Sequence, residues 1–375
     1  MVAVMRAAPL LAVGPGLRAG ARLLREGWLL YLLAVAGGAL FAWLNVPLPW
    51  MIGALVFTTA AKLAGVGGVV PVRLRTTGQI IVGIAVGLYF TPEAFGEVLA
   101  HFPAMVIVAV LTIALGGFSA LLMRRLSDVD GRTAYFACVP GGPAEMAIMA
   151  ERAGAQPAPV ALSQTLRIAA LVLIIPPAVT WSGIGGIPDL GRFAGPVSPL
   201  QLAMLAAAAI GAAMALRALR VPNPWFLGPV AAAATLAATE TASTTMPFAL
   251  IATGQLFLGA ALGSHFDRAF VSRIRQHLTG IAVCTAFLMA SCALLALVVG
   301  RVTDLPVAAM ILATAPGSLT EMCLTAKTLD LSVALVTAFH LVRLFIIVPV
   351  TPLLFEVSRR WWPEPADEAE PRAPS

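Results

Sequence analysis

Six polar side chains stand in stretches that are otherwise almost wholly apolar, and they form three pairs at a constant spacing of 176 residues. The pairs are Glu145 with Glu321, Arg167 with Arg343, and Gln79 with Gln255. Each glutamate follows a proline–glycine break. Pro140, Gly141 and Gly142 lie in ACVPGGPAEMAIMA, and Pro316 and Gly317 lie in ATAPGSLTEMCLTA. Proline removes a helix donor and glycine permits a turn, so each stretch reads as two half-helices. The chemistry open to this set is binding. The N-terminus of a half-helix offers free amides and a positive dipole end to an anion. A guanidinium adds charge and a planar donor fork. A carboxylate in apolar surroundings is costly unless paired, protonated or wet, and can carry a proton or a sodium ion. Gln164 and His340 precede the two arginines by three residues, on the same helix face. Two readings stand side by side. In one, ion pairs Glu145–Arg167 and Glu321–Arg343 pin broken helices to their neighbours. In the other, Gln79, Glu145, Arg167, Gln255, Glu321, His340 and Arg343 line a substrate or ion cavity.

Such groups need elements to hold them, and composition says what kind. Of the 375 residues 59% are hydrophobic and 11% charged, and the mean hydropathy is +0.92. Soluble domains carry about 25% charged residues. Leu278 to Gly300 is a run of 23 residues without a charge, and about 20 apolar residues suffice to cross the hydrocarbon core. The expected fold is therefore an all-α polytopic membrane protein.

The duplication extends well beyond the charged pairs, at a spacing of 176 or, in the P-W-G block, 175. TGQIIVGIAVGLYF from Thr77 returns as TGQLFLGAALGSHF from Thr253, with seven of fourteen positions identical. VPLPWMIGAL from Val46 returns as VPNPWFLGPV from Val221. Three blocks in one order imply two homologous halves, 28–181 and 199–356, joined by a glycine- and proline-rich linker at 182–198. Residues 1–27 read as an N-terminal arm and 357–375 as a disordered polar tail. Gly83 with Gly87 and Gly259 with Gly263 form duplicated GxxxG steps, which let helices approach closely in lipid. Asn223 matches Leu48, so it is expected to have no role common to both halves.

Each half holds six apolar segments. In the first half the basic loops hold Lys62, Arg73 and Arg75, then Arg124, Arg125 and Arg132. In the second half, Arg268, Arg273 and Arg275 occupy the loop that matches acidic Glu93 and Glu97. Lysine and arginine collect on the cytoplasmic side, so the halves should be inverted repeats with an odd number of crossings each. The broken fifth segment is the one expected to be re-entrant, giving about ten spans and two re-entrant segments. Twelve full spans is the competing count. Inverted repeats with interrupted helices are a transporter signature.

Cys138, Cys284, Cys292 and Cys323 sit in apolar runs without a CxxC pair and read as buried thiols. No Walker loop, HExxH, GxSxG or metal-spaced cysteine set occurs. Neither enzyme activity, a cofactor nor a metal is expected. The expected partners are a small-molecule or ion substrate and the lipid bilayer, with no direct nucleic-acid contact; a homodimer is left open.

At PGGPAEM and the duplicated TGQ and P-W-G blocks the chain resembles the AbrB-type integral membrane protein family, over about residues 28 to 356. Members carry names such as AbrB-like regulator or ammonia monooxygenase. They are unrelated to the small soluble DNA-binding AbrB regulators. The resemblance implies a multi-pass protein of the bacterial inner membrane. The second copy reads PGSLTEM and lacks Gly142 and Pro143, which argues against two equivalent half-sites. The leading expectation is a secondary transporter for a small, anionic solute working by alternating access. The alternative is a membrane sensor that affects gene expression without binding DNA.

Overall fold

The computed structural model describes residues 17–357, except Val69, Asp128, 184–196, Glu240, Ala242 and Ser243; side chains are described from Gly27 onward. Among the described residues there are sixteen α-helices and no strand. The first eight are α1 (Leu17–Trp43), α2 (Pro49–Ala64), α3 (Val72–Gly87), α4 (Pro92–Ala100), α5 (Phe102–Leu126), α6 (Gly131–Cys138), α7 (Pro143–Arg152) and α8 (Pro157–Trp181). The second eight are α9 (Pro199–Ala218), α10 (Pro224–Ala238), α11 (Phe248–Gly263), α12 (Arg268–Ile274), α13 (Leu278–Thr303), α14 (Val307–Thr314), α15 (Leu319–Thr328) and α16 (Val333–Val357). Helix starts from α3 to α8 recur 176 residues later in α11 to α16.

Local chemistry sets many of these ends. Proline opens α2, α4, α7, α8, α9 and α10, where its missing N–H is no loss. Thr91, Asp130, Ser198 and Asp267 cap α4, α6, α9 and α12 through their side chains. Leu48 and Asn223 hold matched left-handed conformations, φ 53° and 49°, just before α2 and α10. Helix α1 begins at Leu17, well before the boundary expected at residue 28; residues 1–16, most of the linker and the tail from residue 358 lie outside the described residues. The short helices α4 and α12 occupy what the sequence suggested were loops.

Five of the described helices, α5, α8, α9, α13 and α16, are long and apolar enough to cross a bilayer. Two bent pairs, α3 with α4 at 89° and α11 with α12 at 57°, raise the number to seven if each pair is one span. Five to seven candidate spans among the described residues are fewer than the ten expected from the sequence. Gly27–Trp43, α2 and α10 are apolar but shorter. A helix of 16 residues such as α2 reaches only about 24 Å, against about 30 Å of hydrocarbon.

Helices α3 and α11 lie at the junction of the two sequence halves. Helix α3 packs on α10, α11 packs on α2, and α3 meets α11. The GxxxG steps make this closeness possible. A Cβ on Gly83 would sit 2.8 Å from the Phe226 carbonyl oxygen, and one on Gly263 would sit 2.7 Å from that of Leu55. Helices α1 and α9 back onto α2 and α10. A second group joins α5 to α13, α16 and α6, and carries the broken helices α6–α7 and α14–α15 against α8 and α16.

Candidate functional site

Both expected breaks are present. Helix α6 ends at Cys138 and α7 begins at Pro143; α14 ends at Thr314 and α15 begins at Leu319. Each break creates two sets of orphan backbone groups, carbonyls at the end of the first half-helix and amides at the start of the second. The carbonyls are answered by the helix that follows. In the first half, Gln164 Nε2 donates to the carbonyls of Phe136 and Val139, both at 2.9 Å, and of Ala137 at 3.3 Å. Arg167 Nη1 donates to the Cys138 carbonyl at 3.0 Å, and Nη2 donates to Gln164 Oε1. In the second half, Arg343 donates to the carbonyls of Ala315 at 2.6 Å and Gly317 at 2.9 Å. Its Nη2 also donates to His340 Nδ1 at 2.8 Å, and His340 Nε2 faces the Leu312 carbonyl at 2.9 Å. An arginine donor at Nδ1 and a carbonyl acceptor at Nε2 assign His340 the neutral Nε2–H tautomer. Phe136 and Leu312 are 176 apart, as are Val139 and Ala315, so the two caps share two matched carbonyls, while Ala137 and Cys138 are capped only in the first half and Gly317 only in the second.

This geometry corrects the ion-pair reading. Arg167 and Arg343 are not paired with Glu145 or Glu321; their Nη donors go to carbonyls and to the Gln164 or His340 beside them, and Arg167 Nε is buried without a partner. Glu321 is 8% exposed, and its Oε2 has no hydrogen-bond partner. Glu145 is half-buried. Both occupy the first turn of a half-helix, and no side chain caps the N-terminus of α7 or α15. A negative charge there is favoured by the dipole. The glycines of the motif make room for its side chains. A Cβ on Gly142 would overlap the Glu145 carboxylate, and one on Gly141 would press on Met146. Gly317 stands in the same relation to Met322, with Cγ at 3.1 Å from a built Cβ.

The amides fall elsewhere. Gln79 Nε2 donates to Asn223 Oδ1 at 3.0 Å, a role Asn223 has in one half alone. Its match Leu48 has no acceptor, and Gln255 Oε1 is buried without a partner. Gln79 thus serves the α3–α10 contact, whereas Arg167, Gln164, His340, Arg343 and the glutamates belong to the breaks. Gln164 was recognisable in the sequence as the match of His340. Lys327 was not singled out: it is 7% exposed on α15, donates to Tyr89 Oη at 3.1 Å, and lies 4.6 Å above the same ring. All four cysteines are buried and free. No group of three His, Cys, Asp or Glu able to hold a metal converges among the described residues. A cavity of about 300 Å³ lies at the far end of α7, lined by Arg132, Arg152, Ala153, Gly154, Phe355 and Glu356.

Residues 50–359 match the sequence family described as Transition state regulatory protein AbrB. The match spans most of the chain, which therefore belongs to that family. A relative in Bacillus subtilis (strain 168), named Uncharacterized protein YhjN, is 26% identical over 359 residues, covering 89% of this chain and 93% of the relative. A second, in Escherichia coli (strain K12), is named Putative regulator AbrB and is 25% identical over 318 residues, covering 84% and 91%. No solved structure matches the chain. The apolar helices fit a multi-pass membrane protein.

Proposed function

We propose that this AbrB-family protein is a secondary transporter of the bacterial inner membrane for a small, anionic solute, working by alternating access between two inverted halves. The observation that carries the reading is the pair of broken helices whose C-terminal carbonyls are capped while their N-termini have no side-chain cap. Backbone breaks at membrane depth persist where protein or a wet cavity covers them, and half-helix N-termini aimed at a central site favour anionic groups. The Nη groups of both arginines are engaged by carbonyls and by Gln164 or His340, which leaves the amides of α7 and α15 and the bare Arg167 Nε for recognition. Glu321, with its bare oxygen, is the group to carry a coupling proton or sodium ion. No enzymatic step is proposed. The printed names of the relatives include a regulator, which keeps a sensory role as the second reading.

The test is uptake into proteoliposomes of a panel of small carboxylates under proton and sodium gradients. Wild-type protein should accumulate at least one solute, and Glu321→Gln should fold with unchanged melting yet lose gradient-driven uptake. Folded protein that moves no solute under any gradient would reject transport. A deletion phenotype in gene expression that Glu321→Gln fully restores would then favour the sensory reading.

A further inference from the structure

The two broken helices match in sequence but differ in burial. Every residue from Leu319 to Lys327 in α15 is buried, whereas α7 buries only Met146 and Ala150. Ile148 is 50% exposed and its match Leu324 is 0% exposed. Helix α15 packs on α3 as well as on α16 and α14, while α7 rests mainly on α8 and α6. One tie between α15 and the region of α3 lies at the helix end: Lys327 on α15 clasps Tyr89, just beyond α3, through a hydrogen bond and the ring face, with Asp330 close by. The matched positions, 176 residues away in each direction, are Glu151 at the end of α7 and His265 just beyond α11. Both are exposed, and among the described residues neither binds the other. The His265 ring faces only carbonyls of its own helix, Ala261 at 2.8 Å and Leu262 at 3.3 Å. The second pair is therefore complementary in chemistry, a carboxylate and an imidazole, yet open.

We propose that Lys327–Tyr89 and Glu151–His265 are alternative latches: the first closes α15 onto α3 in the state seen here, and the second closes α7 onto α11 in the opposite-facing state. This rests on the two halves exchanging roles as proposed above. A two-state element biased from either side is what alternating access requires. The latch pairs sit at the ends of the half-helices that carry Glu321 and Glu145. Closing one latch buries one glutamate and leaves the other half-buried, so occupancy of the latches decides which half-helix N-terminus is enclosed.

The test uses the full-length chain in native membranes, with the four cysteines replaced. Cysteine pairs are placed at 89 and 327 or at 151 and 265, with a protease site in the 182–198 linker, and treated with a short bifunctional thiol reagent. Each link joins the two halves, so it survives proteolysis as an uncut band. Both pairs should link. Linking at 151 and 265 should rise several-fold when Tyr89→Phe or Lys327→Met weakens the first latch. Tyr89→Phe keeps the ring and guards against a variant that fails to fold. A variant with all four cysteines should show one link or the other per molecule. Failure of 151 and 265 to link in either weakened background, while 89 and 327 link, overturns the proposal; so do both links in one molecule. Solute uptake in the same membranes separates the two ideas. Uptake without a 151–265 link removes the latch and leaves transport, whereas alternating links without uptake of any solute remove transport and leave the latch.

Discussion

Replacing Arg343 by lysine should loosen the second break more than Arg167→Lys loosens the first. Arg343 makes three hydrogen bonds, to the Ala315 and Gly317 carbonyls and to His340 Nδ1. A lysine can reach one of these acceptors but lacks the planar fork that spans them. Two buried acceptors are then left bare, at about 1–3 kcal/mol each, for a loss of about 2–6 kcal/mol. At position 167 the loss is smaller. Gln164 independently holds the Phe136, Ala137 and Val139 carbonyls, so only the Cys138 carbonyl and Gln164 Oε1 depend on the arginine. His340 has one donor, already given to Leu312, and cannot substitute in the same way. Thermal unfolding in detergent, followed with a thiol-reactive fluorophore, reads the difference because all four thiols are buried in the folded chain. Arg343→Lys should lower the Tm by roughly 4–24 °C, at about 2–4 °C per kcal/mol. Arg167→Lys, which leaves one acceptor bare rather than two, should lower it by about half as much. Equal melting of Arg343→Lys and wild type, or a larger loss at position 167, would refute the assignment of Arg343 as the chief cap of the second break.

Three further outcomes follow from the packing. Gly259→Ala places a Cβ over the Met51 carbonyl oxygen, so α11 must move from α2; the variant should lose about 1–3 kcal/mol, whereas Gly96→Ala, with open space around it, should melt at or above wild type. Asn223→Leu copies Leu48 of the first half and leaves Gln79 Nε2 without its acceptor, so a loss of about 1–3 kcal/mol is expected, read as a lower Tm; an unchanged Tm would show that the Gln79–Asn223 bond adds nothing to the α3–α10 contact. The inverted orientation is read with single cysteines at positions 97 and 272, both exposed: an impermeant thiol reagent should label 97 in intact cells and 272 only in opened cells, and labelling of both from one side would end the inverted-repeat argument.

The segments were legible in the sequence because hydropathy and proline placement act locally. The PGG and PGS breaks fell where α6 gives way to α7 and α14 to α15, and the GxxxG steps proved to be close contacts with backbone carbonyls. Partner choice was not legible. A buried arginine and a nearby buried glutamate suggest an ion pair, but the open ends of two half-helices compete for the same guanidinium. Carbonyl ends carry partial negative charge, need several donors at once, and suit a fork better than a single carboxylate does. Asn223 was expected to have no role common to both halves, and its bond to Gln79 indeed has no counterpart at Leu48; the bond itself was not legible because it depends on which helices meet. Lys327 read as the end of an apolar segment, and only its burial against Tyr89 gives it a role.

The two ends of each break are treated unequally, and this bears on what the breaks are for. A helix interrupted purely to make a bend would need both ends satisfied, because orphan amides in an apolar setting cost as much as orphan carbonyls. Here the carbonyl ends receive two dedicated side chains each, Gln164 with Arg167 and His340 with Arg343. The amide ends receive no side-chain cap, although Ser318 stands in the capping position of α15 and is a residue type well suited to the task. The carboxylate in the first turn of α15 leaves an oxygen bare. Donors without acceptors beside an acceptor without a donor make a place for a group that supplies both, an anionic solute at the amides and a cation or proton at the carboxylate. Capping the amide end from within should then compete with solute. Leu319→Pro copies Pro143 of the first half and removes one of those amides, while a first helical position tolerates proline. The variant should melt within about 1 kcal/mol of wild type and require several-fold more solute for half-maximal uptake. Unchanged solute dependence would place the solute away from the N-terminus of α15.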